Sequence, residues 1–119
     1  MRVNVFRGQN HIGGNIIEIT TDKTRILLDV GLELDDENIQ LPDVEGLFSD
    51  AAFDAVFISH YHGDHLGLAY YIDNRIPLYM GDASYRIVRP TAKRCYIPGT
   101  FAPMAESLLI GCSMPCRIK

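Results

Sequence analysis

The chain has 119 residues, of which 47% are hydrophobic and 22% charged, and a formal net charge of −4. That length suits one domain with a real core rather than two. With no apolar run near the roughly 20 residues of a membrane helix and no apolar signal segment in "MRVNVFRG", the chain reads as cytoplasmic and not membrane-bound.

"VNVF" alternates and stops at Gly8, which predicts a first strand. It is followed by a loop, "RGQNHIGGN", that Gly13 and Gly14 make tight and mobile. "NIIEIT", the polar turn "TDK" and "TRILLDVG" then read as a hairpin. The unbroken run Ile26, Leu27, Leu28 suits a strand covered on both faces. Six acids in "ELDDENIQLPDVE" with no Lys or Arg among them predict a solvated loop. "FDAVFIS" is a short apolar strand that delivers the chain into His60. "LGLAYYID" has helical spacing, "IPLYM" is a strand, and "DASYRIV" begins a helix that Pro90 is expected to stop. The order, strands first and then β, α, β, α, predicts a mixed α/β sheet with helices packed on one face.

"SHYHGDH", Ser59 to His65, holds three of the four histidines and an aspartate. His60 and His62 are two apart, so on extended backbone their side chains share one side and one metal can take both. Gly63 permits a sharp turn. Asp64 stands where a helix begins, and there a role as a metal ligand competes with a role as its N-cap. Imidazole nitrogen with carboxylate oxygen suits zinc best, with manganese or iron as replacements. Such a metal generates hydroxide near neutral pH, so the chemistry implied is hydrolysis.

Cys95, Cys112 and Cys116 are odd in number and lack finger spacing, so they read as reduced thiols. Charge is uneven: residues 1–85 carry 14 acids against 5 bases, and residues 86–119 carry 6 bases against Glu106 alone. The basic residues Arg86, Arg89, Lys93 and Arg94 read as a solvated face before they read as a phosphate contact. The tail "CSMPCRIK" shows neither helical nor strand period.

On these residues, "HYHGDH" resembles the HxHxDH signature of the metallo-β-lactamase superfamily. "TRILLDVG" is similar to that family's strand ending in Asp and Gly, and "NHIGGN" with "NIIEIT" to the opening of its ribonuclease J and β-CASP branch. The ordered resemblance covers residues 1 to about 90. It implies the first half of an αββα sandwich, with one or two zinc ions at one edge. His60 and His62 would ligate the first metal, and Asp64 and His65 the second, with Asp64 at the catalytic centre. Asp29 would orient neighbouring groups by hydrogen bonding, and His11, otherwise an exposed loop residue, would border the cleft. A hydroxide would attack an ester or phosphodiester, RNA among the substrates.

The family takes further His and Asp ligands from later segments, whereas no histidine follows His65 in these 119 residues. The expectation is therefore a single incomplete domain. A second copy or a partner would cover the sheet face that the missing half leaves open. The alternative is a non-catalytic half-domain or truncated fragment that binds metal or a partner without turnover.

Overall fold

The computed structural model describes residues 1–33 and 39–92, with backbone only for 89–92. Five strands form one sheet in sequence order: β1 (Arg2–Arg7), β2 (Ile16–Thr20), β3 (Arg25–Leu28), β4 (Ala55–Ile58) and β5 (Leu78–Met80). The first three pair antiparallel and the last three parallel, so β3 joins a meander to a crossover half. Two helices follow the parallel strands, α1 (Gly63–Leu66) after β4 and α2 (Asp82–Ala92) after β5. The expected mixed sheet and its hairpin are present. Among the described residues no helix is long and apolar enough to cross a membrane.

The core lies on one face. Ile16 from β2, Leu27 from β3, Val56 and Ile58 from β4 and Leu78 from β5 are buried there against Leu66, Leu68, Ala69, Ile72 and Ile76. The long connection between β3 and β4 closes the same side with Val44, Leu47 and Phe53. The acidic segment thus exposes Leu41, Asp43 and Glu45 but is pegged down through Val44, while Glu33 is half-buried and residues 34–38 lie outside the description. Burying each such side chain contributes about 1.5–3 kcal/mol.

Strand register assigns the opposite face. Residues paired across strands share a side. Val3 and Val5 on β1 pair with Ile19 and Ile17, those with Ile26 and Leu28, and Leu28 with Phe57, which pairs with Tyr79. Val3 is 56% exposed, Val5 39%, Phe57 41% and Tyr79 38%, and the Phe57 and Tyr79 rings stack at 5.1 Å. Ile26 and Leu28 are only half-buried, so β3 is sealed on its Leu27 face and not on both faces as its sequence suggests.

Two helix expectations are corrected. "LGLAYYID" does not continue as a helix, because α1 ends at Leu66 and the chain proceeds by turns. Pro90 does not stop α2, which runs to Ala92; so close to the end, its missing N–H removes a single bond of the ladder. Cys95, Cys112, Cys116, Lys93, Arg94 and the aperiodic tail lie outside the described residues.

One ion pair sits inside the core face. Glu18 on β2 is 2% exposed and accepts a hydrogen bond from Arg25 Nε on the neighbouring strand. The Arg25 guanidinium also donates to the Glu45 carbonyl and lies 4.0 Å from the centre of the Phe53 ring. Burial alone would raise the Glu18 pKa, but the hydrogen bond and charge of Arg25 outweigh it and hold the carboxyl below its usual value. A carboxyl lowered in this way adds stability above its unfolded pKa and loses it as pH falls through the folded one. Arg25→Met leaves the carboxylate buried and unpaired, an expected cost of about 3 kcal/mol at pH 7 in urea unfolding. Without Arg25, burial raises the Glu18 pKa, so protonation relieves the defect. The gap to the parent chain should narrow as pH falls, beginning above the ordinary glutamate value of 4.5 and continuing below it as the parent loses its ion pair; a gap independent of pH would contradict the assignment.

Candidate metal centre

β4 ends at Ile58, and of the seven residues that follow, Gly63, Asp64 and His65 are held by peptide groups from two distant loops. Asn15 N–H donates to the Asp64 carbonyl at 3.2 Å, while its own carbonyl accepts from Gly31 N–H at 3.1 Å. Val30 N–H donates to the His65 carbonyl at 2.8 Å and Leu32 N–H to the Gly63 carbonyl at 2.9 Å. Leu68 N–H, which in a continuing helix would return to Asp64, goes instead to the Val30 carbonyl at 2.8 Å. These exchanges explain why α1 is a single turn.

Two backbone features make the approach feasible. Gly13 and Gly14 have φ of 87° and 67°, which lets the loop after β1 fold back to bring Asn15 against the turn. Gly31 lies so close that a Cβ there would stand 1.7 Å from the Asp64 carbonyl oxygen. Gly63, in contrast, has open space where a Cβ would point and no positive φ, so the turn does not depend on it as the sequence suggests.

The turn brings one ligand atom from each of His60, His62 and Asp64 within 4.8 Å of one another. The His60 and His62 rings meet edge to face at 4.9 Å. The N-cap of α1 is His62, without a side-chain cap bond, and Asp64 sits in the first turn. Asp64 is therefore not the N-cap, and its carboxylate is left to the cluster. A set of two imidazoles and one carboxylate suits a divalent metal ion.

His65 stands beside this group. Its Nδ1 donates to Asp29 Oδ2 at 2.8 Å, and its Nε2 lies 3.4 Å from Asp64 Oδ2 and 3.5 Å from Asn15 Nδ2. Its ring is 3.9 Å from that of His60. His11 is exposed on the glycine loop and is not drawn into the cluster.

Asp29 is the pivot behind the ligands. It is 8% exposed and has a left-handed backbone, φ 59°, which Asp tolerates better than most residues. Its N–H extends the parallel pairing by donating to the Phe57 carbonyl at 2.8 Å. Its carboxylate accepts from the Ser59 N–H at 2.7 Å, from the Ser59 hydroxyl at 2.9 Å and from His65. The resemblance implies an orienting role for Asp29 and none for Ser59, Asn15 or Gly31. The signal for Ser59 in the sequence is its place directly before His60.

Comparison with known proteins accords with this geometry. A family model described as the metallo-beta-lactamase superfamily matches residues 11–96. A probable RNase from Methanocaldococcus jannaschii is 37% identical over 93 residues, 75% of this chain and 21% of its own length. An RNase J-like protein from the same organism is 38% identical over 90 residues, 76% of this chain and 18% of its own. A transcription termination factor from Lokiarchaeum is 36% identical over 83 residues, 66% of this chain and 13% of its own. The chain thus spans about a fifth or less of the length of these curated relatives. A crystal structure of a protein of unknown function from Enterococcus faecalis superposes with a TM-score of 0.66 at 25% identity, covering 86% of this chain and 31% of that one.

The contact at Gly31 separates two substitutions that look alike in sequence. Gly31→Ala forces the Asp64 peptide away and should cost about 3 kcal/mol in urea unfolding. Gly63→Ala, where nothing lies within 4 Å, should stay within about 0.5 kcal/mol of the parent. Equal effects at the two glycines would refute the close approach.

Proposed function

The chain belongs to the metallo-β-lactamase superfamily, and from that premise we propose that it carries part of the active site of a metal-dependent hydrolase acting on RNA or another phosphodiester. The observation that carries this reading is the convergence of His60, His62 and Asp64 within 4.8 Å on a turn whose carbonyls are tied to two other loops. The RNase J-like relatives support the choice of a nucleic-acid substrate.

His60 and His62 would hold one ion, with Asp64 and His65 available to a second. Zinc suits this donor set best, and manganese or iron would replace it with little change of ligands. When bound, zinc supplies a Lewis acid and lowers the pKa of water from about 16 to about 7. The chain's own contribution is placement. Asp29 holds the His65 ring, and Ser59 ties that carboxylate to β4. Asp64, assigned the catalytic role, presents a carboxylate oxygen able to accept a hydrogen bond from the attacking water. His11 lies on a loop joined to the turn through Asn15, which supports a place at the rim of the cleft. The setting proposed is the cytoplasm, in keeping with cysteines read as free thiols.

Ligand count supports a second reading. Four candidate ligands shared between two ions give each two, short of the three protein ligands typical of a catalytic zinc. Residues 1–119 would then form one incomplete domain that binds metal without turnover until further ligands are supplied. The exposed apolar face that runs from Val3 and Val5 to Phe57 and Tyr79 supports a partner, either a second copy or another chain.

Two measurements test these readings. For the enzyme, elemental analysis should find one or two metal ions per chain, and phosphodiester cleavage should disappear with a chelator and fall about 100-fold or more in His62→Ala. Metal bound without turnover would favour the second reading, and no metal at all would refute both. For the partner, light scattering at micromolar concentration should give a mass above 13.3 kDa. A stable, well-folded monomer would remove the case for self-association.

A further inference from the structure

The geometry points to Ser59 as a positioning residue that decides which nitrogen His60 offers to a metal. This deepens, and rests on, the reading of the turn as a metal centre. The Ser59 hydroxyl has one hydrogen and three close neighbours: Asp29 Oδ2 at 2.9 Å, His60 Nδ1 at 3.0 Å and His65 Nδ1 at 3.2 Å.

An ionised carboxylate only accepts, so the hydroxyl hydrogen goes to Asp29 Oδ2. His65 Nδ1 also faces that oxygen, at 2.8 Å, and must carry a hydrogen of its own. What Ser59 Oγ has left for His60 is a lone pair. A bare Nδ1 on His60 would set two lone pairs against each other at 3.0 Å, so His60 carries its hydrogen on Nδ1 and donates it to Ser59. Nε2 of His60 is then the nitrogen with a free lone pair. One carboxylate thereby fixes two imidazoles, His65 directly and His60 through the serine. A metal-binding histidine whose second nitrogen is tied in this way binds more tightly and in one orientation.

The test begins on the metal-free chain. Proton–nitrogen NMR of the rings, above the usual imidazole pKa of about 6.5, reports the tautomer directly. The parent and Ser59→Thr should hold His60 with hydrogen on Nδ1, and Ser59→Ala should move it toward Nε2. His65, still bonded to Asp29, should keep its tautomer in all three, which also reports that the fold persists. Zinc titration should show about 10-fold weaker binding in Ser59→Ala and recovery in Ser59→Thr. His60 with its hydrogen on Nε2 in the parent, or unchanged on Nδ1 in Ser59→Ala, would overturn the assignment. If no form binds zinc while the tautomer moves as expected, the metal centre fails and the positioning role of Ser59 stands.

Discussion

Everything at the candidate site depends on a set of backbone hydrogen bonds that join three segments far apart in sequence. Peptide groups of Asn15, Val30 and Leu32 meet those of Gly63, Asp64, His65 and Leu68, and the Gly31 N–H joins the two outer loops by donating to the Asn15 carbonyl. Each bond contributes about 1 kcal/mol net, but a buried carbonyl left without its partner costs more. The turn therefore cannot relax into a longer helix without orphaning groups on two other loops. Side chains inherit that fixity. Asp29 follows β3, the turn follows the adjacent parallel strand β4, and the Asp29 carboxylate spans the two.

Charge has a similarly local logic. Residues 1–85 are strongly acidic, and Arg7, Arg25, Arg75 and Arg86 are each paired with a carboxylate: Glu33, Glu18, Asp73 and Asp82. Arg75 holds the Asp73 carboxyl down at about 2, so that pair persists across the ordinary pH range. These arginines are thus occupied within the domain. On the proposed reading, attraction for a phosphodiester falls to metal ions bound at the turn and to bases outside these pairs. The cluster of His60, His62 and Asp64 is the feature of the described surface best suited to that task.

Much of the fold is legible in the sequence because strands leave local marks. "NIIEIT" and "FDAVFIS" announce β2 and β4 by apolar run and turn boundary, and the spacing of His60 and His62 announces a shared ligand face. Most of the differences share a cause. "LGLAYYID" has helical spacing, yet its helix is cut short because Val30 takes the Leu68 N–H and Asn15 takes the Asp64 carbonyl. Asp64 looks like an N-cap until the cap proves to be His62. Gly63 draws the eye as the glycine in the motif, while the steric demand falls on Gly31, 32 positions earlier. Ser59 is silent in sequence because its role lies in a carboxylate just past the end of another strand. Local pattern reads local structure, and three of these outcomes, the short helix, Gly31 and Ser59, are decided by partners 30 or more residues away.

The same long-range ties bear on the order of folding. Asp29 is 36 residues from His65, and Asn15 is 50. Contacts of such separation close only after large loops have been organised, which is slow compared with forming a hairpin or a helical turn. The β2–β3 hairpin can form early on local pairing, but the histidine turn acquires its shape only once β4 has joined β3 in parallel. An unfolded chain offers the same three imidazoles without their arrangement. Metal binding would therefore favour the folded state by mass action, and the site and the sheet would stabilise each other.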